Sequence, residues 1–303
     1  MSLNPTILIQ NLLNGLMVGG LYALIAVGYT MVYGILRLIN FAFGDVMVMG
    51  IYFAYYGATL IRLSFPLAVT VSLAGTALLG IVIDRLAYKP LRNSPRISAL
   101  ITAIGVSFFI ESFAVVFFGP NYKPFLDALE NKTIAFESFV IGNVYLPKII
   151  FIILGITAIA LFILFVIVYR TKIGMAMRAI SADIPTTSLM GINVDNVIGF
   201  TFAISSALAA LAGVMWALRY PSFYPYTGFV PGLKAFIAAV FGGIGSIGGA
   251  VVGGILLGVI EMMIITLFPT LMQYKDAFAF IILIVILLVK PAGLLGKRTV
   301  EKV

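Results

Sequence analysis

Residues 1–36 carry no lysine, arginine, aspartate or glutamate, and the same holds for 46–61, 63–83, 149–169, 196–218, 235–260 and 277–289. A further stretch, 97–122, is interrupted only by Glu111. Crossing about 30 Å of hydrocarbon takes roughly 20 apolar residues, so runs of this length repeated along a chain point to lipid as the solvent. Inside lipid each segment must satisfy its own backbone hydrogen bonds, which a helix does alone. The spacing predicts helices over 8–33, 44–61, 66–84, 97–118, 149–169, 195–218, 249–268 and 274–290, the last lengthened if Lys290 snorkels to the interface. Residues 231–246 are apolar and glycine-rich, and predict a ninth, short crossing or a re-entrant segment. The expected fold is an all-α polytopic transmembrane bundle of about eight helices, or nine. It forms one domain over 1–303, with a Gly-rich broken helix near 231–254.

Composition agrees and excludes several functions. The chain is 62% hydrophobic and 10% charged, with a mean hydropathy of +1.16; a soluble domain carries about 25% charged residues. Cysteine and histidine are both absent, which removes disulfides, thiolate chemistry, the usual zinc ligands and histidine bases. A membrane-embedded enzyme would need a cluster of catalytic groups, and none is in view. The net charge of +8 is not massed in one run, so no nucleic-acid partner is expected; the basic residues sit at the ends of apolar segments, where anionic lipid attracts them. No Walker-type phosphate loop occurs, so any nucleotide is expected on another chain. Residues 1–36 lack the basic stretch of a cleavable signal, and the first apolar segment is expected to persist as a helix.

The loops orient the helices. Arg85, Lys89, Arg92 and Arg96 lie in one loop, Arg170, Lys172 and Arg178 in another, and Lys297, Arg298 and Lys302 in the C-terminal tail. The positive-inside rule places all three in the cytoplasm. Loop 120–148 mixes Lys123, Asp127, Glu130, Lys132, Glu137 and Lys148 and is expected outside. Parity then requires 231–246 to cross at least partly, and it puts the N-terminus outside.

Four ordered motifs are distinctive. They are Leu13-Asn14-Gly15-Leu16 through Gly19-Gly20-Leu21-Tyr22-Ala23-Leu24, with Asn40-Phe41-Ala42-Phe43-Gly44-Asp45; Met177-Arg178-Ala179 to Met190-Gly191-Ile192-Asn193; Gly242-Gly243-Ile244-Gly245-Ser246-Ile247-Gly248-Gly249; and Lys290-Pro291-Ala292-Gly293-Leu294-Leu295-Gly296. Over essentially its whole length the chain resembles the branched-chain amino acid ABC permeases of the LivH type, a pattern that urea and amide permeases share. The resemblance implies a permease subunit of an ATP-driven, binding-protein-dependent importer in the bacterial inner membrane. Its implied partners are a second homologous permease of the LivM type, two cytoplasmic ATPases holding ATP and magnesium, and an extracytoplasmic solute-binding protein. A secondary transporter or channel working without ATP is the alternative of a different class.

The residues themselves suggest roles. Gly15 and Gly19 at helical spacing let a second backbone approach closely, in the bundle or in a partner. Asn40 suits a helix cap and Asp45 the first turn after it; the functional reading makes Asn40, Phe43 and Asp45 a lining or gate of the path, with Phe43 standing where relatives often carry histidine. In loop 170–194 a short helix is expected from Asp183–Pro185 to Gly191. The resemblance makes that helix the docking point for the ATPase, involving Arg178, Ser181, Asp183, Pro185, Thr186, Thr187 and Gly191. The family's EAAxxxG pattern reads Pro185-Thr186-Thr187-xxx-Gly191 here, keeping the glycine and losing the acid. Gly242, Gly243, Gly245, Gly248, Gly249, Gly253 and Gly254 are too many for a stiff helix, at about 1 kcal/mol each against alanine; the expected break is a path lining, a hinge or a close packing contact. Three acids, Asp45, Glu111 and Glu261, lie in or near apolar segments. Such groups are costly in lipid and mark candidate sites. Glu111, the deepest, is expected either to face a wet cavity or to bond between helices or to a partner.

Overall fold

A computed structural model describes residues 5–38, 40–92, 94–128, 138–141, 144–290 and 292–296. Eleven α-helices account for most of them: α1 Pro5–Leu36, α2 Phe43–Thr59, α3 Phe65–Ile83, α4 Arg96–Phe118, α5 Lys148–Arg170, α6 Lys172–Ala182, α7 Ile184–Leu189, α8 Val194–Arg219, α9 Phe229–Gly242, α10 Ile247–Leu267 and α11 Lys275–Val289. Two small antiparallel ladders join the loops: β1 (Lys123–Pro124) pairs with β4 (Ser222–Phe223), and β2 (Ser138–Ile141) with β3 (Val144–Pro147).

Among the described residues seven helices are long and apolar enough to cross a membrane: α1, α3 with the π-turn and 3₁₀ turn that extend it to Leu91, α4, α5, α8, α10, and α11 with the 3₁₀ turn before it. The segment expected at 44–61 is α2, with 17 residues, and the one at 231–246 is α9, with 14. At 1.5 Å per residue these rise about 25 Å and 21 Å.

Local chemistry sets the ends. Thr171, Asn193 and Ser246 each accept a backbone N–H in the first turn of α6, α8 and α10, satisfying one of the donors that a helix start leaves free. Gly119, with φ of +83°, ends α4. Arg37 takes the left-handed conformation (φ 54°) after α1, and its N–H donates to Tyr33 at 2.7 Å. The chain then doubles back, so that Phe43, at the start of α2, packs on the Tyr29 ring, with 5.0 Å between centroids.

α1 is the axis of the bundle, buried almost throughout from Gly15 to Val32. It is held by α10, α8, α9 and α5, while α2, α3 and α8 form a second packed layer. The Gly15–Gly19 motif meets α10 of the same chain: a Cβ on Gly15 would stand 2.8 Å from the Val259 Cα, and one on Gly19 2.7 Å from the Ile255 Cα. α4, α5 and α11 turn large apolar side chains outward, Phe109 (70% exposed) and Leu288 (80%) among them, as a lipid-covered surface requires.

The glycine-rich stretch holds the break expected near 231–254 and confines it to four residues. The helix is interrupted only at 243–246, where Gly243 and Gly245 have φ of 111° and 93°. Gly248, Gly249, Gly253 and Gly254 sit inside regular α10; at the last three a close backbone contact offsets the helix cost, a Cβ on Gly253 lying 2.7 Å from the Gly242 nitrogen, whereas a Cβ on Gly248 would meet nothing within 4 Å. The tail motif closes the same corner. Leu294 and Leu295 donate their N–H groups to the Phe241 and Gly242 carbonyls, both at 2.9 Å, capping the end of α9. Pro291, Lys297, Arg298 and Lys302, together with Glu130, Lys132 and Glu137, lie outside the described residues.

Candidate coupling face and translocation path

One cavity tells which helix ends share a side. It is lined by Thr30 and Ile35 of α1, Val168 of α5, Arg178 and Ser181 of α6, Thr201 of α8 and Gly245 before α10. The connector 171–194, the α9–α10 corner and the docked tail therefore occupy one face. Loop 84–92 joins them through charge. Arg92 donates to both oxygens of buried Asp84, at 2.9 and 3.1 Å, and to Asp195 in the first turn of α8; Lys89 pairs with Asp195 at 2.6 Å. Arg92 thus has a local anchor and a bridge to the helix that follows the connector.

The connector is tied by local hydrogen bonds and packed along one side. In α6, Met177 and Ile180 are buried, the Arg178 guanidinium lies 5.5 Å from the Tyr169 ring centre, and the Ser181 hydroxyl donates to the Arg178 carbonyl at 2.8 Å. Asp183 separates α6 from α7. Its carboxylate accepts from Thr186 and its carbonyl from Thr187, the latter at 2.6 Å. Pro185 stands in the first turn of α7, and Gly191 turns the chain at φ +80°. The expected docking residues divide: Asp183, Pro185 and Thr186 are exposed, whereas Thr187 is buried, 5% exposed, and turned inward. The largest outward surface is at residues that sequence reasoning missed. Leu189 and Met190, at the tip, are 86% and 79% exposed. A six-residue helix offers too few turns for a periodicity to mark its outer face.

The candidate path residues fall into three places. Asn40 is buried and does not hold the cap position, which belongs to Ala42; its Oδ1 accepts the Ala42 N–H at 3.1 Å. Phe43 is fully buried and packs on the Tyr29 ring. Gly44 lies against the start of α9, and a Cβ there would be 3.2 Å from the Gly232 Cα. Asp45 and Glu111, 3% and 8% exposed, come together between α2 and α4. The Ser107 hydroxyl donates to one Asp45 oxygen, and the other has no aligned donor among the described residues. Glu111 thus lies at a side-chain contact between α2 and α4. Replacing it with glutamine, whose N–H groups can donate to Asp45, should leave the unfolding midpoint in nanodiscs unchanged, whereas Glu111→Leu should lower stability by about 1–3 kcal/mol. Gly242, Gly243, Gly245, Gly248 and Gly249 gather at the α9–α10 corner, on the connector face.

Glu261, the third acid, has a partner that the sequence hid. The Lys234 ammonium of α9 lies 2.7 Å from it, and the Tyr22 hydroxyl of α1 donates to its other oxygen at 3.0 Å. Lys234 also faces Asp276 of α11 at 2.5 Å, too obliquely for a hydrogen bond. One buried cluster thus fastens α9 to three helices.

A multi-pass helical bundle with a structured connector on one face has the build of a transport subunit. The family of branched-chain amino acid transport system permease components matches residues 11–287. The chain belongs to that family. The permease is 43% identical to the high-affinity branched-chain amino acid transport system permease protein BraD of Pseudomonas aeruginosa, covering 97% of this chain and 98% of that one. It is 40% identical to LivH of Salmonella typhimurium and 39% identical to LivH of Escherichia coli, each over 97% of both chains.

Proposed function

We propose that the permease is one half of the membrane path of an ATP-driven importer of branched-chain amino acids. A second homologous permease of the LivM type forms the other half. Two cytoplasmic ATPases hold ATP and magnesium, and an extracytoplasmic binding protein delivers the solute. The membrane is the bacterial cytoplasmic membrane. The basic loops put the connector face inside and the N-terminus outside.

The observation that carries this reading is the connector tip. Leu189 and Met190 project from the end of a proline-started helix on the basic face, and large apolar side chains exposed side by side are a docking surface for a soluble partner. Closure of the ATPases would press on α7, and α8, continuous with it through the Gly191 turn, would carry the movement into the bundle. Bond chemistry resides on the partners.

The test uses the complete transporter in proteoliposomes. Leu189→Asp with Met190→Asp should release the ATPase subunits on purification and reduce ATP-dependent leucine uptake to background, with an unchanged unfolding midpoint for the permease. A bulky side chain at Gly191, where φ is positive, should uncouple ATP hydrolysis from uptake. Full ATP-driven uptake by the double variant would reject the connector as the docking point.

A further inference from the structure

A second cavity, of about 310 Å³, opens on the face opposite the connector. It lies between the outer ends of the same helices that enclose the cavity on the connector side: Gln10 and Asn14 of α1, Ile149 and Ile150 of α5, Leu218 and Arg219 of α8. Gln10 and Asn14 are four residues apart and share one helix face. The polar groups stand at α1 and at the end of α8, and the opening turn of α5 supplies an aliphatic wall.

Arg219 is partly buried and lies against the Tyr220 ring, 5.2 Å from its centre. Among the described residues no carboxylate pairs with it. A guanidinium is always charged, and its planar fork of donors matches a carboxylate. The carboxamides beside it supply oxygens that accept from an ammonium group. The combination suits a small zwitterion with a branched apolar tail, and the volume is at the small end of ligand pockets.

We propose that this cavity is a solute vestibule within the permease. The amino acid lodges with its α-carboxylate on Arg219, its ammonium on the Gln10 and Asn14 oxygens, and its branched side chain against Ile149, Ile150 and Leu218. The proposal rests on the substrate class given above, and it adds a solute site where delivery by a binding protein alone would require none. An acidic side chain of the docked binding protein carries the same carboxylate chemistry, so the test separates the two sources.

Tritiated L-leucine is bound to the complete transporter in nanodiscs, without binding protein and without nucleotide, and measured by scintillation proximity. Isocaproate, which keeps the carboxylate and the branched tail, should displace it; isoamylamine, which lacks the carboxylate, should not. Arg219→Gln should weaken leucine binding about tenfold or more, Arg219→Lys by less, and Asn14→Ala by a smaller factor, with unfolding midpoints unchanged. Association of the binding protein with the Arg219→Gln particles should match the parent. The proposal is overturned if the parent shows no saturable leucine binding, if isoamylamine competes as well as isocaproate, or if Arg219→Gln leaves leucine binding intact. Intact leucine binding with loss of the binding protein would assign the carboxylate to that protein and also reject the vestibule. Because no ATP enters the assay, its failure leaves the uptake test of the connector standing.

Discussion

Lys234→Met should unfold the permease more readily than any surface change, by about 3–5 kcal/mol, the cost of leaving one partner of a buried ion pair unmatched. Lys234 and Glu261 are 3% and 4% exposed. Glu261 would keep the Tyr22 hydroxyl, while Lys275, 3.9 Å away at the half-exposed rim, is too distant to take the ammonium's place. Methionine fills similar volume, so the loss isolates the charge. α9 would lose its charged link to α10 and α11 together, and ATP-driven uptake in proteoliposomes should fall with it. The decisive comparison is Lys234→Met with Glu261→Leu. Replacing both partners by apolar groups of similar shape is often neutral, so the double variant should recover most of the unfolding midpoint of the parent. A double variant no more stable than the single one would show that the pair does not act as a unit.

The same lysine shows what a sequence hides in a membrane protein. A lone Lys at the edge of the charge-free run 235–260 reads as an interfacial anchor, and nothing local separates that from a buried partner of Glu261, 27 residues on. The crossings were legible because lipid imposes their length: 97–118 and α4, Arg96–Phe118, differ by one residue, since a single helix suffices to satisfy its own backbone. The glycine motifs were legible as close approaches but not as pairs. Gly15 and Gly19 required some facing backbone, and only the fold assigns it to α10; Gly243 and the tail at Gly296 are mutual neighbours, a Cβ on Gly243 falling 2.8 Å from the Gly296 Cα. Asn40 misled because an Asx side chain two residues before the cap position resembles a cap in sequence. Arg219 looked like an ordinary basic end to an apolar helix, and its cavity exists only where the ends of α1, α5 and α8 converge.

Gly19→Leu is the second large effect, and it tests whether the axis of the bundle is a backbone-to-backbone seam. A Cβ at Gly19 would meet the Ile255 Cα at 2.7 Å, and one at Gly254 the Ala23 Cα at 2.5 Å. In both cases the obstacle is main chain, which no rotamer change can move, so α1 and α10 must separate along their length. Overpacking in a core costs about 1–3 kcal/mol where side chains can yield; here the expected loss is on the order of 3 kcal/mol or more at each site. It also forfeits the dispersion contacts that hold helices together in lipid, where no hydrophobic drive replaces them. Gly155 of α5 supplies the control, because a Cβ there meets nothing within 4 Å. Gly155→Leu should therefore leave the unfolding midpoint in nanodiscs at or slightly above that of the parent, as replacing a mid-helix glycine favours the helix by a few tenths to about 1 kcal/mol. Equal losses for Gly19→Leu and Gly155→Leu would mean that helix propensity, not the approach of α1 to α10, sets the demand for glycine.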